Sequence, residues 1–424
     1  MLALFENELR KGTGIPFLLL KKNILQANDQ ITDVIFDVIM ETKLFDPQCE
    51  GLRGDYFYEI VANYKEKEKI YLKITERFDN MKENEYTEMQ IADFVSNMIK
   101  DNLYPKEKYY IKIDWYIIKY RSEYVPGIKK IINIDGINAI KHYAKLLGKI
   151  ANDGNNHFIS DYLFFEDGLF HENDIEYSAE NVISILKKEN DNDINYYLDY
   201  VARKEKEHKP YIRPSFDKIK EYYEKGQRAP FLHGWVKKAT DEEIDNLSDL
   251  YLKQKNSFLK SSILKGFSET RIRVDEKYLW NELKRTKNID YKSAIIEALI
   301  NFNNEAVKDM VNQYYKNEIT RIPALKAFIK HINKKDRYLL EYYIDGLNIY
   351  ETHSIIDIIN YEGIKQFDFF PAILRKLYEK NVCSICRKKI IEKMREINCL
   401  DENLLEEIEL DCNKEIRKLA YTLR

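Results

Sequence analysis

Apolar residues recur three and four positions apart along most of the chain, in short segments separated by brief polar breaks. In segment 291–301, for example, Ile295, Ile296, Leu299 and Ile300 form one stripe. This spacing predicts amphipathic helices, and the short breaks predict that successive helices run antiparallel. Glycine and proline are scarce, with 14 and 9 residues, and the alternation typical of strands is rare. The sequence therefore predicts an all-α fold.

The predicted helices are more regular in the second half of the chain. In the first half they lie near residues 15–40, 55–64, 67–79, 87–101, 136–150, 157–165, 178–188, 192–207 and 215–226. In the second half they lie near residues 241–253, 256–266, 276–286, 291–301, 303–315, 321–332, 335–345, 351–360, 367–379, 383–397, 402–409 and 412–423. The polar segment 203–214 separates the halves. We therefore predict an irregular helical region over 1–205, a connector over 206–228 and a repeat region over 229–424.

Several residues suit particular helix ends. Pro323 and Pro371 fall near predicted helix starts, where a missing N–H has little consequence. Asp290, Asn304 and Asp411 are placed as N-caps, because their side chains accept hydrogen bonds from the first free N–H groups.

Segment 107–120, KYYIKIDWYIIKY from residue 108, is ambiguous. Its alternation favours a strand, whereas its continuous apolar character with Trp115 favours a buried helix. Because its neighbours offer no partner strand, we predict a helix.

Two segments near the C-terminus can be overlaid. NVCSICRKKI (381–390) aligns with DCNKEIRKLA (411–420), so that Cys386 matches Ile416 and Arg387 matches Arg417. This pattern resembles the second helix of a HEAT repeat, and helix pairs recur at about the spacing of such arrays. The resemblance covers residues 229–424. It implies a right-handed α-solenoid of antiparallel helix pairs and no activity. The stretches FDPQCEGLRGDYFYEI (45–60) and RAPFLHGW (228–235) also resemble parts of uncharacterised bacterial HEAT-like proteins.

Charge and hydropathy exclude some classes of partner. Lys and Arg total 68 and Asp and Glu 71, a net charge of −3, which gives no global attraction to nucleic acid or anionic lipid. No apolar run approaches the roughly 20 residues that cross a bilayer. The N-terminal MLALFENELRKG carries acidic residues where a secretory signal is basic. We expect a cytoplasmic protein that does not bind membranes and whose five cysteines are reduced.

The stretch FDPQCEGLRGDYFYEI (45–60) resembles a reactive cluster. We interpret it instead as a corner between two helices, in which Asp55 caps the second helix and Arg53 pairs with a carboxylate. A nucleophilic Cys49 needs a group that stabilises its thiolate, and no histidine precedes His142. In a solenoid, each repeat contacts only its neighbours.

Other groupings also have structural interpretations. Cys383, Cys386, Cys399 and Cys412 could hold zinc, but two of them are isolated, and the overlay places Cys386 in a repeat core. A second cluster, His157, Asp161, Glu166, Asp167 and His171, is interleaved with apolar residues typical of a packing helix. No phosphate-binding glycine loop is present. We predict no catalytic, cofactor-binding or metal-binding residue.

The predicted function is a non-enzymatic interaction. HEAT-like arrays present a concave surface, and Tyr, of which there are 32, and Arg are favoured at interface hot spots. The candidate surface comprises a basic stripe and two indoles: Lys326, Lys330, His331, Lys334, Arg337, Trp235 and Trp280. The expected partner is another protein, bound without a cofactor. The alternative is a nucleic-acid-binding protein, including a DNA-repair glycosylase, because alkylpurine DNA glycosylases are also built from HEAT-like repeats.

Overall fold

The computed structural model describes the chain except residues 43–44, 83–84, 121–126, 154–169, 173–174, 208–212, 268–269, 303, 357–361 and 423–424. The described residues are predominantly helical, which confirms the predicted all-α class. One short antiparallel hairpin, which the sequence pattern did not predict, joins β1 (Phe170–Glu172) to β2 (Ile175–Tyr177), with Phe170 opposite Tyr177. None of the described helices combines the length and apolarity needed to cross a membrane.

The first half of the chain forms eleven helices in the described residues. They are α1 (Leu2–Lys11), α2 (Ile15–Lys21), α3 (Asp29–Met40), α4 (Pro47–Glu50), α5 (Gly54–Ala62), α6 (Lys67–Asp79), α7 (Glu85–Lys100), α8 (Lys106–Tyr120), α9 (Ile128–Asn152), α10 (Ala179–Lys188) and α11 (Asn192–Glu207). The ranges predicted for α6 and α11 match the structure. The predicted helix 15–40 is instead two helices, α2 and α3. The predicted helix 157–165 lies outside the described residues.

The second half of the chain is also largely helical, but the short helices Leu232–Val236 and Glu362–Lys365 were not predicted, and the end of the predicted helix 351–360 lies outside the described residues. Its helices are α12 (Phe216–Glu224), α13 (Leu232–Val236), α14 (Asp241–Lys253), α15 (Ser257–Gly266), α16 (Glu276–Arg285), α17 (Ile289–Ile300), α18 (Met310–Tyr314), α19 (Glu318–Lys330), α20 (Arg337–Asp345), α21 (Ile349–Ser354), α22 (Glu362–Lys365), α23 (Phe370–Lys380), α24 (Ser384–Glu396), α25 (Glu402–Ile408) and α26 (Lys414–Tyr421). Two 3-10 turns, Glu305–Asp309 and Lys334–Asp336, precede α18 and α20.

Local signals explain most helix ends, and some predicted caps shift by two residues. Asn304 caps the 3-10 turn before α18, as predicted. Asp290 and Asp411 are not caps, because Asn288 and Asn413 accept the first N–H bonds of α17 and α26. Pro371 lies in the first turn of α23, as predicted. The prediction for Pro323 is wrong because α19 begins earlier, at residue 318, which leaves the proline inside the helix.

The ambiguous segment 107–120 is helical, as predicted, but it is not buried on all sides. In α8, Tyr109, Ile113 and Tyr116 pack into the core, whereas Trp115 is 36% exposed. Two lysines lie over the Trp115 ring, which shields part of its face.

Contacts divide the chain into two compact units. Unit 1 comprises Met1–Lys209, Val382–Lys388 and Asp401–Arg424, and unit 2 comprises Pro210–Asn381 and Lys389–Leu400. The last helices therefore group with the first half of the chain. The two units do not test where repeats begin and end. The repeat region predicted over 229–424 therefore stays a prediction.

Within unit 2, helices that are two apart along the chain pack on one another. Helix α13 packs on α15, α15 on α17, and α17 on α19. Each of these also contacts a neighbouring helix, as α14 contacts α15 and α16 contacts α17. Their apolar residues, from Ile219 to Ala327, form one buried cluster.

Within unit 1, segments far apart in sequence share a core. The Cys412 N–H donates to the Gly12 carbonyl at 2.8 Å, and Arg387 donates to the Lys11 carbonyl at 2.9 Å. The expectation that each segment contacts only its neighbours along the chain is wrong for these residues. Arg387 explains the contact, because a fully buried guanidinium needs several acceptors.

Candidate interaction surface

The middle of the predicted basic stripe is partly buried. Lys330, the last residue of α19, donates to the Ile300 carbonyl, and burial lowers the pKa of its ammonium. Burial, followed by the neighbouring Lys330 charge, lowers the pKa of His331. Lys326 is half-buried on the same helix, where its charge acts on Glu297. These three side chains are only partly open to solvent.

The other two residues of the stripe are exposed and paired. The Lys334 ammonium lies 3.0 Å from the Asp368 carboxylate, and Arg337 Nε lies 2.9 Å from Glu341. Exposed pairs of this kind contribute little to stability and exchange readily with other partners. Lys335, beside them, has no carboxylate within ion-pair distance among the described residues. These residues lie at the start of α20.

The two predicted indoles have packing roles. Trp235 is 1% exposed, and its indole N–H donates to the Pro214 carbonyl at 2.8 Å. The Arg213 guanidinium lies 4.4 Å from the Trp235 ring centroid and pairs with Glu243 at 2.8 Å. Trp280 is half-buried, and its N–H donates to Glu276, one turn earlier, at 2.8 Å. Trp235 therefore holds α13 in the core and leaves no indole face for a ligand.

Two tyrosines beside the stripe are the most exposed large aromatic side chains of α20. Tyr338 is 79% exposed and Tyr342, one turn later, is 67% exposed, with Leu339 exposed beside them. They lie opposite the buried residues of the same helix, which are Leu340, Tyr343 and Ile344. We name Lys335, Arg337, Tyr338, Leu339 and Tyr342 the α20 face. The sequence signal was present: these tyrosines lie four apart and off the apolar stripe.

Unit 2 also contains a groove. It has a volume of about 620 Å³ and lies between the turn after α12, α13 and α15. Arg228, His233 and Lys265 line it together with Tyr222 and Phe258. The segment RAPFLHGW (228–235), for which no groove was predicted, lines this groove, and Lys265 joins it only in three dimensions.

At the corner 45–60, Arg53 pairs with a carboxylate, as predicted. Arg53 is buried and donates to the carbonyls of Arg10 at 2.5 Å and Val382 at 3.2 Å, and it pairs with Glu50 at 3.3 Å. Cys49 is exposed, and a hydrogen bond to the Asp46 carboxylate raises the pKa of its thiol. A raised pKa makes this thiol a weaker nucleophile at neutral pH.

Asp55 was predicted to cap α5, and this prediction is wrong. Its carboxylate instead lies 2.6 Å from the Lys130 ammonium and 2.9 Å from the Asn97 side-chain amide. The same ammonium lies 3.7 Å from Asp93. Burial opposes ionisation of Asp55, but Lys130, Asn97 and Lys414 together hold the pKa of that carboxyl well below its usual range. Burial raises the pKa of Asp93 to about 7.

Of the four cysteines considered for zinc, Cys383 and Cys386 are buried, whereas Cys399 and Cys412 are partly exposed. All five cysteines are thiols, and Cys386 is buried, as the repeat overlay predicted. Burial raises the pKa of the Cys412 thiol. In the second cluster, His157, Asp161, Glu166 and Asp167 and the side chain of His171 lie outside the described residues.

Comparison with known proteins gives no relative for this chain. No family model, no curated protein and no solved structure matches it. Function is therefore argued from the surfaces above.

Proposed function

We propose that the protein is a non-enzymatic interaction protein that binds another protein through the α20 face. The observation that supports this is the exposure of Tyr338 and Tyr342, at 79% and 67%, one turn apart on a helix with a well-buried opposite side. Tyrosine and arginine are enriched at interface hot spots, and large apolar groups grouped at a surface are typical of binding sites.

The area sets the scale of the contact. A tyrosine buries roughly 150–250 Å² when fully covered, so these two rings offer roughly 300 Å². A standard interface buries about 800 Å² on each partner. The tyrosines would therefore form the centre of the contact. Lys335 and Arg337 would meet carboxylates of the partner at its rim.

The scaffold in this proposal is a right-handed solenoid of HEAT-like helix pairs. The successive packing of α13, α15, α17 and α19 supports it, because stacked second helices are the pattern expected of such arrays. Helix α19 contacts α22, and α20 contacts α23. In this arrangement α20 is an outer helix that presents its exposed face to a partner.

The test compares proteins that co-purify with the tagged full chain from cells that produce it naturally. The variant Tyr338→Ser/Tyr342→Ser removes both rings from an exposed face and is expected to leave the melting temperature unchanged. A protein recovered in stoichiometric amount with the natural chain should be lost with this variant. Its dissociation constant should rise about 30-fold, corresponding to about 2 kcal/mol for a hot spot.

The matched control is Tyr421→Ser, which removes an equally exposed tyrosine at 69% from α26. The control should retain the partner. If the two variants lose the same partner equally, or if neither loses any, the α20 face is not the binding surface.

A further inference from the structure

The groove in unit 2 combines cationic and apolar groups with no carboxylate among its lining residues. Arg228 and Lys265 are its cations, His233 adds an imidazole, and its other walls include Leu232 and Phe258. We propose that this groove binds a nucleotide, with the phosphate at the cations and the base against the apolar wall. The site shares no residue with the α20 face and goes beyond the proposed protein interaction.

Arg228 lies on an ordered turn. Helix α12 ends at Glu224, and Gly226, two residues later, has a left-handed φ of 71°. The Gly226 N–H donates to the Tyr223 carbonyl at 3.1 Å, and the Gln227 N–H donates to the Tyr222 carbonyl at 2.9 Å. These bonds fix the backbone that carries the guanidinium before any ligand arrives, so less conformational entropy is lost on binding.

The Arg228 side chain is also held in place. Its guanidinium lies 4.7 Å from the centroid of the Phe258 ring, and stacking of this kind leaves the N–H edge available to an anion. Across the part of the chain that the structure describes, no carboxylate lies within ion-pair distance of Arg228. A planar fork without an acidic partner favours the oxygens of a phosphate.

Lys265 adds a second cation from the last turn of α15. Its charge acts on the carboxyl of Glu297, whose pKa burial raises. With the imidazole of His233, three donor side chains from two helices and a turn surround one volume. A phosphate offers three oxygens to such a set, whereas a carboxylate offers two.

The size and walls of the groove select the rest of the ligand. Its volume of about 620 Å³ lies within the range of small-molecule sites, roughly 300–1,000 Å³. Inorganic phosphate would leave most of this volume empty. The exposed Phe258 and the apolar Leu232 suit a planar ring, because bases stack on aromatic side chains without regard to sequence. The ligand is a free nucleotide or the phosphorylated end of a single strand.

Calorimetric titration of the full chain tests the site with three probes: inorganic phosphate, AMP and a short 5′-phosphorylated thymidine oligonucleotide. We expect AMP to bind about tenfold more tightly than phosphate, because only AMP reaches the apolar wall. Arg228→Gln and Lys265→Gln should each weaken AMP binding about tenfold. Both side chains are exposed, so their variants should melt as the natural chain does.

The control is Lys255→Gln, which removes an exposed cation just before α15 that does not line the groove. It should leave AMP binding unchanged. Tighter binding of the oligonucleotide than of AMP identifies a strand end as the ligand, and equal or weaker binding identifies a free nucleotide. Absence of AMP binding, unaltered affinity in Arg228→Gln, or an equal loss in Lys255→Gln would overturn the proposal.

Discussion

The buried ion pair between Arg387 and Asp411 provides the strongest test of how unit 1 is held together. Both side chains are 0% exposed. Two nitrogens of the guanidinium donate to the carboxylate at 2.9–3.1 Å, and its third nitrogen donates to the carbonyls of Lys11 at 2.9 Å and Val382 at 3.0 Å. One side chain therefore joins the segments 382–388, 401–424 and the end of α1.

Replacing Arg387 with alanine leaves a buried carboxylate and two buried carbonyls with fewer donors. Removing one partner of a buried pair costs about 3–5 kcal/mol. A buried acceptor left unpaired adds at least about 1 kcal/mol. We expect Arg387→Ala to lower the free energy of unfolding of unit 1 by about 4–6 kcal/mol, which is a large share of the roughly 5–15 kcal/mol of a typical domain.

Native-state hydrogen exchange in a urea series measures the free energy of unfolding of unit 1, from peptides of α5 and α26. The control Arg395→Ala removes an exposed arginine from α24, the helix that carries Arg387. It should change the free energy of unfolding by less than about 0.5 kcal/mol. The double variant Arg387→Met/Asp411→Leu should recover part of the loss, because it leaves no buried charge unpaired. A loss below about 1 kcal/mol for Arg387→Ala would refute the reasoning.

Two further predictions concern Asp93 and its neighbours. Because burial raises the folded-state pKa of Asp93 from 3.8 to about 7, its contribution to stability is complete below pH about 4 and is lost as the pH rises through about 7. The loss is up to about 4 kcal/mol, at about 1.4 kcal/mol per pH unit. Asp93→Asn should flatten this part of a urea-unfolding pH profile, and an unchanged profile would contradict the assignment. Gly54→Ala should destabilise unit 1 by about 2 kcal/mol or more in urea unfolding, because the new Cβ would lie 2.5 Å from the Asp93 Cβ and 2.8 Å from the Gln90 carbonyl oxygen. The control is Gly234→Ala, whose new Cβ meets no atom within 4 Å and which should stabilise α13 by about 0.5–1 kcal/mol. Equal changes in the free energy of unfolding for the two substitutions would contradict the packing argument.

Local signals in the sequence predicted most of the secondary structure. The apolar spacing in α6, α11 and α14 sets the ends of these helices, since each is flanked by a polar break or a cap such as Thr240. The errors are also local in origin. Asn288 and Asn413 took the cap positions assigned to nearby aspartates, because several residues within one turn were equally suitable.

Contacts between distant segments were beyond sequence reasoning. Arg387 fitted a repeat pattern, but its partners at Lys11 and Gly12 lie more than 370 positions away, and no periodicity encodes them. The burial of Trp235 is similar, because a single indole fits a surface or a core equally well until its neighbours are known. The groove also depends on three dimensions, since Lys265 reaches Arg228 only after α12, α13 and α15 have packed.

Photo-crosslinking tests most directly whether the α20 face is a binding surface. A photoreactive phenylalanine derivative replaces Tyr342 in one variant and Tyr421 in another, and both are irradiated in cells that produce the protein naturally. We predict one discrete crosslinked protein for position 342 and none of that species for position 421. Crosslinking to the same proteins from both positions, or from neither, would contradict the claim.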